Sequence, residues 1–310
     1  MKGFILAAGL GERLRPLTNR CAKALVPVLN LPSICYSLFL LKEAGIQEVV
    51  CNLHHEGSGI VRFLEKHGFF GLDISFSEED EIFGTGGGLK KCEALLGDDD
   101  FVLINSDVVL DADIGFFADR HRELGMPGTL LLYRTERAGD IGPVGVEENR
   151  VVGFHTVRGA RIDSDLIYTG VAVLSPAIFQ YLKMEFSSIV TTGFAGLMGD
   201  GAIGYVEHAG FWLDVGTIRS YWEANVRAMK EVLGLGKRLT HAMGLSHALL
   251  SPSCRIGKDS VIKDTVVGEG AKIGEDVFLE KTVVLPGSSV ANRSIIKNSV
   301  VFEDRLIQIE

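Results

Sequence analysis

The chain has 310 residues, of which 46% are hydrophobic and 23% charged, and its formal net charge is −9. This composition is typical of a globular protein with one large domain or two modest ones. The net negative charge argues against a general nucleic-acid or membrane-surface binder, which needs a positive field, so any anion site must be built locally.

Apolar runs alternate with segments of helical periodicity over residues 1–235. Five of these runs are predicted as strands, at residues 4–8, 48–53, 73–77, 101–105 and 129–133. Three helices are predicted: one from a Ser33 cap to a Gly45 stop, one between Asp113 and Gly125, and one over about 218–233. Strand–helix alternation predicts an α/β fold with a doubly wound, mostly parallel sheet, whose ligands bind beyond the carboxyl ends of the strands.

The sequence pattern changes near Ser251. Apolar residues recur at positions 256, 262, 267, 273, 279 and 284, a spacing of five or six residues. This period fits neither a helix nor an ordinary hairpin, and is typical of hexapeptide repeats that coil into a left-handed parallel β-helix. A run of short antiparallel strands is the alternative. We therefore divide the chain into a domain at 1–235, a linker at 236–250 and a β-helix domain at 251–310.

The tip of the first predicted strand carries a tight backbone followed by positive charges. The strand ends in Gly9-Leu10-Gly11, and Arg13, Arg15 and Lys23 follow. A strand followed by such a loop can present backbone N–H groups to an anion. The stretch is not a P-loop, because no Gly-Lys-Ser/Thr follows, and it is not a dinucleotide loop, because Leu14 replaces the third glycine.

The stretch LAAGLGERLRPLT…K…LVPV resembles the signature of the sugar-1-phosphate nucleotidyltransferases. Further matches follow in the family's order: GTGGG at 84–88, NSDVV at 105–109, YTGVAVL at 168–174 and WLDVGT at 212–217. The hexapeptide tail resembles the C-terminal domain of many members, including mannose-1-phosphate guanylyltransferases. The resemblance implies a Mg²⁺-dependent transfer of a nucleotidyl group from a nucleoside triphosphate to a sugar-1-phosphate, with release of pyrophosphate.

The resemblance also implies roles for individual residues. Arg13 would bind the triphosphate and help pyrophosphate leave, while Lys23 would lie near the α-phosphate and the sugar phosphate. Asp107 and Asp214 match the family's magnesium ligands, and carboxylates suit Mg²⁺. The expected nucleotide-binding residues are Leu6, Ala7, Ala8, Gly9, Gly11, Gly84, Thr85 and Gly86, and the expected substrate-binding residues are Lys23, Thr169 and Gly170.

Other acidic residues have structural interpretations. Asp214 could instead cap the helix that follows it. Asp111 is expected in a turn. The acidic runs at 78–81 and 98–100 are expected to face solvent.

The sequence departs from the commonest family pattern at one place. Many members carry Glu-Lys-Pro before the strand that here reads YTGVAVL, whereas this segment reads FHTVRGARIDSD. Arg158 or Arg161 could supply the missing cation, or the segment could be a surface loop. The absence of this triplet and the GTGGG cluster also resemble the N-acetylmuramate-1-phosphate uridylyltransferases, which lack the hexapeptide tail. We favour guanylyl transfer to mannose-1-phosphate, with uridylyl or thymidylyl transfer to another sugar-1-phosphate as the alternative.

Two functions of other classes fit parts of the sequence. One is a catalytically silent relative that binds nucleotide sugar and regulates a partner, which the retention of Arg13, Lys23, Asp107 and Asp214 disfavours. The other is a hexapeptide acyltransferase, which usually needs a histidine on the coil. No histidine follows His247, so this second function is disfavoured as well.

Cysteine usage and the lack of long apolar segments indicate the compartment. The five cysteines form no CxxC pair, so we expect no disulfide framework or zinc site, and a reducing cytoplasm fits better. No secretory leader is visible, and the apolar stretch at 33–41 is far shorter than the roughly 20 residues of a membrane span. We expect a cytoplasmic homo-oligomer whose partners are its small substrates, with no nucleic acid and no membrane among them.

Overall fold

The computed structural model describes residues 1–157, 162–231, 233–245 and 248–309. These residues divide into two compact units. The first unit contains Met1–Leu10 and Ser37–Trp212, and the second contains Gly11–Tyr36 and the described residues of Leu213–Glu310. Each unit therefore combines segments that are distant in the sequence.

The α-helices of the described residues range from 4 to 14 residues in length. In chain order they are α1 (Ile34–Glu43), α2 (Gly57–Lys66), α3 (Gly84–Lys91), α4 (Glu93–Leu96), α5 (Ile114–Leu124), α6 (Ala138–Ile141), α7 (Ala195–Gly199), α8 (Ile218–Glu231) and α9 (Leu233–Met243). In the part of the chain that the structure describes, no helix combines the length and the apolarity that crossing a membrane requires.

The strands of the described residues are longest in the middle of the chain and short near its end. In chain order they are β1 (Lys2–Leu6), β2 (Pro27–Val28), β3 (Leu31–Pro32), β4 (Glu48–Leu53), β5 (Asp73–Glu78), β6 (Phe101–Asn105), β7 (Val108–Leu110), β8 (Gly128–Arg134), β9 (Val144–Glu147), β10 (Arg150–Phe154), β11 (Leu166–Leu174), β12 (Ile203–His208), β13 (Trp212–Asp214), β14 (Arg255–Ile256), β15 (Val261–Lys263), β16 (Val266–Val267), β17 (Lys272–Ile273), β18 (Phe278–Val284), β19 (Ser289–Val290), β20 (Ile295–Phe302) and β21 (Arg305–Gln308).

The central sheet of the first unit has nine strands among the described residues, in the order β5-β4-β1-β6-β11-β8-β12-β10-β9. β5, β4, β1 and β6 are parallel neighbours, and β12 is parallel to β8. Among these described strands, only β11 and β10 run in the opposite direction. The prediction of a mostly parallel sheet is therefore confirmed, and the five predicted strands correspond to β1, β4, β5, β6 and β8.

The predicted end signals of α5 act as expected. The Asp113 carboxylate accepts a hydrogen bond from the Phe116 N–H, at 2.9 Å, and Gly125 ends the helix in the left-handed conformation with φ of 63°. The buried face of the helix includes Ile114 and Phe117, which match the predicted periodicity. Local capping chemistry thus fixes both ends of this helix.

One hydrophobic cluster of the first unit lies on one face of its sheet. Phe4, Phe101, Leu103 and Leu130 are fully buried there, together with residues of α3, α4 and α7. The side chains of adjacent parallel strands meet in this cluster because alternate residues of a strand point to the same face. This core holds the carboxyl ends of β1, β4 and β6 at one edge of the sheet, which we call the carboxyl edge.

The C-terminal strands repeat with an offset of 17 residues. Val261 pairs with Phe278, which pairs with Ile295, and all of these pairings are parallel. The other tail strands follow the same rule, except that β21 pairs antiparallel with β20. Three hexapeptides roughly fill such a coil, so the tail is consistent with a parallel β-helix, and antiparallel pairing is confined, among the described tail strands, to the last one.

The repeated apolar positions of the tail mostly point inward. Val267, Ile273, Leu279 and Val284 are buried in one cluster, as the period predicts. Ile256 is 40% exposed, in contrast to the expectation from its place in the repeat. It lies in β14, which pairs only with β17 among the described strands, so this position has a neighbouring coil on one side only.

The segment proposed as a linker is largely helical. α8 ends at Glu231, two residues before the predicted helix end, and α9 covers Leu233–Met243. The chain beyond α9 is held within the second unit, because the Asn30 side-chain amide donates to the carbonyl oxygens of Ala248, Leu249 and Val267. A helix of this kind was not expected, since glycines at 234 and 236 weaken the helical signal.

Candidate functional site

The loop after β1 is held by hydrogen bonds within the first unit. The Leu6 carbonyl accepts from the Ser106 N–H at 3.1 Å, and the Ala7 N–H donates to Oδ1 of Asn52 at 2.8 Å. Asn52 lies in β4 and is only 1% exposed. The structure therefore places the predicted residues Leu6 and Ala7, with Ala8 and Gly9 after them, at the carboxyl edge, where ligands of α/β proteins bind.

The expectation that the whole acidic run 78–81 faces solvent is wrong at Glu79, which is buried. Its side chain is 4% exposed, and its two carboxylate oxygens accept from Asn52 Nδ2 at 2.7 Å and from the Phe83 N–H at 2.9 Å. A carboxylate can be buried when its oxygens are hydrogen-bonded in this way. The available signal was strand alternation, because Ser77 and Glu79 point inward on either side of exposed Glu78.

Burial also determines the state of Cys92, a thiol close enough to Glu79 to be affected by its charge. Cys92 is fully buried, and this burial raises the pKa of its thiol to about 11, an increase to which Glu79 contributes. The sign follows from desolvation, which disfavours the charged thiolate. Cys92 is therefore a neutral packing residue at neutral pH.

The GTGGG cluster forms the start of α3. An ideal Cβ on Gly84 would lie 2.5 Å from the Ser187 carbonyl oxygen, and one on Gly87 would lie 2.1 Å from the Glu185 carbonyl oxygen. The Ile189 N–H donates to Thr85 Oγ1 at 2.8 Å. The missing side chains thus let the backbone of residues 185–189 pack against α3, which gives Gly84, Thr85 and Gly86 a packing role independent of any ligand.

Gly87→Ala should destabilise the protein by about 1–3 kcal/mol or more, since overpacking costs that much and the obstacle is backbone. Gly139→Ala is the matched control, because Gly139 is an exposed helical residue whose ideal Cβ meets nothing within 4 Å. Chemical denaturation should show a lower midpoint for the first variant and an unchanged or raised midpoint for the second. Equal midpoints would contradict the packing role of the cluster.

Asp107 and the Thr169–Gly170 pair also lie at the carboxyl edge. Asp107 follows β6, directly after Ser106, whose N–H binds Leu6. An ideal Cβ on Gly170, which has φ of 86°, would lie 2.7 Å from Nδ2 of Asn105, the last residue of β6. The first unit therefore brings Asp107 and Gly170 to the same strand end as the loop after β1.

The side chain of Thr169 is used inside the protein. Its Oγ1 donates to the Leu131 carbonyl at 2.7 Å, and its carbonyl accepts from Trp212 Nε1 at 2.8 Å. A role for Thr169 in substrate binding therefore depends on the backbone that it holds in place.

Asp111 is more than the turn residue that was expected. Its Oδ1 accepts from the Phe211 N–H at 2.7 Å and lies 3.1 Å from His208 Nε2. It therefore fixes the chain that leads to Trp212.

The second unit contains Gly11, Arg13, Lys23 and Asp214. Gly11 has φ of 64°, and its carbonyl accepts from Thr18 Oγ1 at 2.7 Å. An ideal Cβ there would lie 2.8 Å from Thr18 Cγ2 and 3.3 Å from Lys23 Cβ. Glycine is thus required at position 11 both by the backbone conformation and by the packing of Thr18 and Lys23.

Arg13 and Asp214 meet at Gly216, although they are far apart in the sequence. An ideal Cβ on Gly216 would lie 2.4 Å from Asp214 Oδ2 and 3.4 Å from Arg13 Nη2. Thr217 Oγ1 accepts from the Ser220 N–H at 3.1 Å, as an N-cap of α8 does. Because Thr217 supplies this cap, the capping interpretation of Asp214 loses its basis.

The available donors suit one kind of metal site. Among the described residues, no three His, Cys, Asp or Glu side chains form a group that could hold a metal ion. Mg²⁺ usually binds through one or two carboxylates together with substrate phosphates and water. The predicted ligands Asp107 and Asp214 have this donor chemistry. Arg158 and Arg161, which were proposed to replace the missing lysine of the sugar site, lie outside the described residues.

Comparison with known proteins shows similarity over both parts of the chain. A family model described as nucleotidyl transferase matches residues 2–231, and one described as GMPPB C-terminal domain matches residues 245–308. The mannose-1-phosphate guanyltransferase of Aspergillus fumigatus is 29% identical over 84% of this chain and 74% of its own length. The protein of the same name from Saccharomyces cerevisiae is 30% identical over 82% and 73%.

A solved structure has a similar fold. It is described as a candidate glucose-1-phosphate thymidylyltransferase from Bacillus anthracis in complex with sucrose. It aligns with a TM-score of 0.68 and 26% identity, and the alignment covers 77% of this chain and 99% of that one.

Proposed function

The chain belongs to the nucleotidyl transferase family, and from this premise we propose that it makes GDP-mannose from GTP and mannose-1-phosphate. Its reaction class is the transfer of a nucleotidyl group from a nucleoside triphosphate to a sugar-1-phosphate. The observation that carries the choice of guanine and mannose is the similarity to mannose-1-phosphate guanyltransferases over 271 residues, which extends beyond the match to the first family model.

The proposed reaction needs no protein nucleophile. An oxygen of the sugar phosphate attacks the α-phosphorus in line, the bond from the α-phosphorus to the bridging oxygen breaks, and pyrophosphate leaves with the electron pair. Because the attacking oxygen is already anionic, the protein has to position the two substrates and neutralise their charge.

We propose that the two glycine-containing segments bind the nucleotide. These are the loop Leu6–Gly11 and the start of α3 at Gly84–Gly86. Within the first unit, residues 6–9 of this loop lie at the carboxyl edge. Arg13 is exposed, and its planar guanidinium suits bidentate contacts to the triphosphate. Lys23 would neutralise the α-phosphate and the sugar phosphate, and the backbone at Thr169 and Gly170 would contact the sugar.

Asp107 and Asp214 would hold Mg²⁺ in this proposal. The ion would supply charge neutralisation of the phosphates when bound. The support is the donor chemistry of the two carboxylates and the position of Asp107 after a buried strand.

A panel of triphosphates tests the choice of base. GTP should exceed UTP, dTTP, ATP and CTP by about tenfold to a hundredfold in kcat/KM with mannose-1-phosphate. The reason is that a site built for the guanine edge leaves buried polar groups unpaired with another base, at about 1–3 kcal/mol each. Pyrophosphate release measures the rates.

The same panel, repeated with glucose-1-phosphate and N-acetylated sugar phosphates, separates the alternatives. UTP or dTTP leading with every sugar would contradict GDP-mannose formation and leave the reaction class intact. If no combination of triphosphate and sugar phosphate releases pyrophosphate, a non-catalytic relative that regulates a partner is favoured.

The exposed face of the tail supports a role in assembly. Val261 and Ile295 flank Phe278 in one parallel row and are 53% and 75% exposed. Exposed apolar surface of this kind often marks contact sites between proteins. We propose that this row joins copies of the chain into a homo-oligomer and that the coils are left-handed, and light scattering on the full chain tests the first part.

The state of the cysteines supports a reducing compartment. All five lie in the described ranges as thiols, and Cys35, Cys51 and Cys92 are buried. Buried thiols persist most readily where disulfides do not form. We propose the cytoplasm as the place of action.

A further inference from the structure

A buried chain of hydrogen bonds links the two segments expected to bind the nucleotide. The Ala7 N–H donates to Asn52 Oδ1 at 2.8 Å, Asn52 Nδ2 donates to Glu79 Oε1 at 2.7 Å, and the Phe83 N–H donates to Glu79 Oε2 at 2.9 Å. Ala7 belongs to the loop after β1, and Phe83 directly precedes α3. Every link of this chain lies in the first unit.

The middle of this chain is rigidly held. The Glu79 N–H donates to the Leu53 carbonyl at 2.8 Å, and His54 Nδ1 lies 2.8 Å from the Glu79 carbonyl oxygen. An ideal Cβ on Gly88 would lie 2.6 Å from Glu79 Oε1 and 2.8 Å from Asn52 Nδ2, so only glycine fits there. The pair is thus clamped from its backbone and from α3.

The order of donors and acceptors is specific. Both ends of this series of hydrogen bonds are backbone N–H donors, those of Ala7 and Phe83. The side chains of Asn52 and Glu79 must therefore accept one hydrogen bond each from the backbone and form one hydrogen bond with each other. An amide and a carboxylate satisfy this requirement, because the amide accepts with its oxygen and donates with its nitrogen. Two amides leave one donor facing another, and two carboxylates face each other without a proton between them.

We propose that Asn52 and Glu79 are positioning residues that set the spacing between the loop after β1 and the start of α3 for the nucleotide. The inference rests on the proposed function only in taking these two segments as nucleotide-binding. Neither side chain needs to touch substrate, since each acts through a backbone N–H group. Misplacement of a binding group by about 1 Å can cost a hundredfold in rate, so the effect on nucleotide use is expected to be large.

The test is an exchange of the two functional groups. Glu79→Gln leaves one donor unmatched, and Asn52→Asp places two carboxylates together. The double variant N52D/E79Q restores the pattern in reverse, because the introduced carboxylate can accept from the Ala7 N–H and from the introduced amide, whose oxygen accepts from the Phe83 N–H. Each single variant should weaken binding of the triphosphate about tenfold or more, and the double variant should recover most of this loss.

Two measurements separate positioning from mere folding. Calorimetric titration with GTP, and with whichever triphosphate leads the panel, gives nucleotide affinity without turnover, and steady-state kinetics gives the KM for the sugar phosphate. We expect the affinity for the triphosphate to fall while the KM for the sugar phosphate stays within about twofold. Thr129→Val is the control, since it removes a buried hydrogen bond to His121 at the start of β8 and should lower only the thermal midpoint.

Several results would overturn the inference. One is a single variant in which the triphosphate affinity falls and the KM for the sugar phosphate rises by equal factors. Another is a folded double variant that binds triphosphate no better than the single variants do. If one single variant does not fold, the other single variant carries the comparison with the double variant. Failure of both single variants to fold, with a folded double variant, would overturn the inference, because the pair would then act on folding. An error in the choice of guanine is distinguishable from an error in this inference. Another triphosphate would then bind, and its affinity would fall in the single variants and recover in the double variant.

Discussion

Asp107→Asn and Asp214→Asn should each lower turnover by at least about a hundredfold while the protein remains folded. Asparagine keeps the shape of aspartate and removes the charge that a magnesium–triphosphate complex requires, and the loss of one such electrostatic contact commonly costs about 10²–10³ in rate. Initial rates of pyrophosphate release over a range of Mg²⁺ concentrations measure the effect. Added Mg²⁺ should restore little activity.

The control for these variants is Asp113→Asn. Asp113 caps α5 from outside the proposed site, and asparagine caps a helix about as well as aspartate does. Its turnover and thermal midpoint should be unchanged. Near-normal turnover in a folded Asp107 or Asp214 variant would remove that residue from the metal site.

Arg13→Ala and Lys23→Ala should affect the two substrates differently. Loss of Arg13 should raise the KM for the triphosphate by about tenfold to a hundredfold, as expected for charge-assisted hydrogen bonds. Loss of Lys23 should lower kcat and raise the KM for the sugar phosphate, because this cation is proposed to lie between the two reacting phosphates. Steady-state kinetics with each substrate varied in turn measures both effects.

Arg15→Ala is the matched control on the same segment. The Arg15 side chain is 56% exposed and lies 3.8 Å from Glu12, an arrangement that contributes little to stability. Small and equal effects of Arg13→Ala and Lys23→Ala, similar to those of Arg15→Ala, would identify all three as surface cations.

The parts of the fold that were predicted are those that local chemistry determines. β4 and β6 match the predicted ranges, and α5 begins and ends at its predicted caps. Apolar alternation and capping act over a few residues, so they can be read directly along the chain. α9 was missed for the same reason, since two glycines obscure its local signal.

The parts that were not predicted depend on contacts between distant residues. Strand alternation indicates that Glu79 points inward, but it does not identify Asn52 and the Phe83 N–H as the groups that its carboxylate binds. The resemblance assigns Gly84 and Gly86 to the nucleotide, and it does not indicate that residues 185–189 pack where side chains at these positions would lie. Site motifs such as residues 6–23 were recognisable, whereas the residues that position them were not.

The composition of the second unit has a consequence for the synthesis of the protein. Residues 11–36 leave the ribosome early, but the groups that hold them come much later: Leu29 binds the Asn225 side chain, and Asn30 binds carbonyl groups at 248, 249 and 267. Because domains generally form as their segments emerge, the segment that carries Arg13 and Lys23 must wait for nearly the whole chain. A chain that ends before Asn225 lacks every one of these later groups, so we expect the segment that carries Arg13 and Lys23 to reach its final structure late in synthesis.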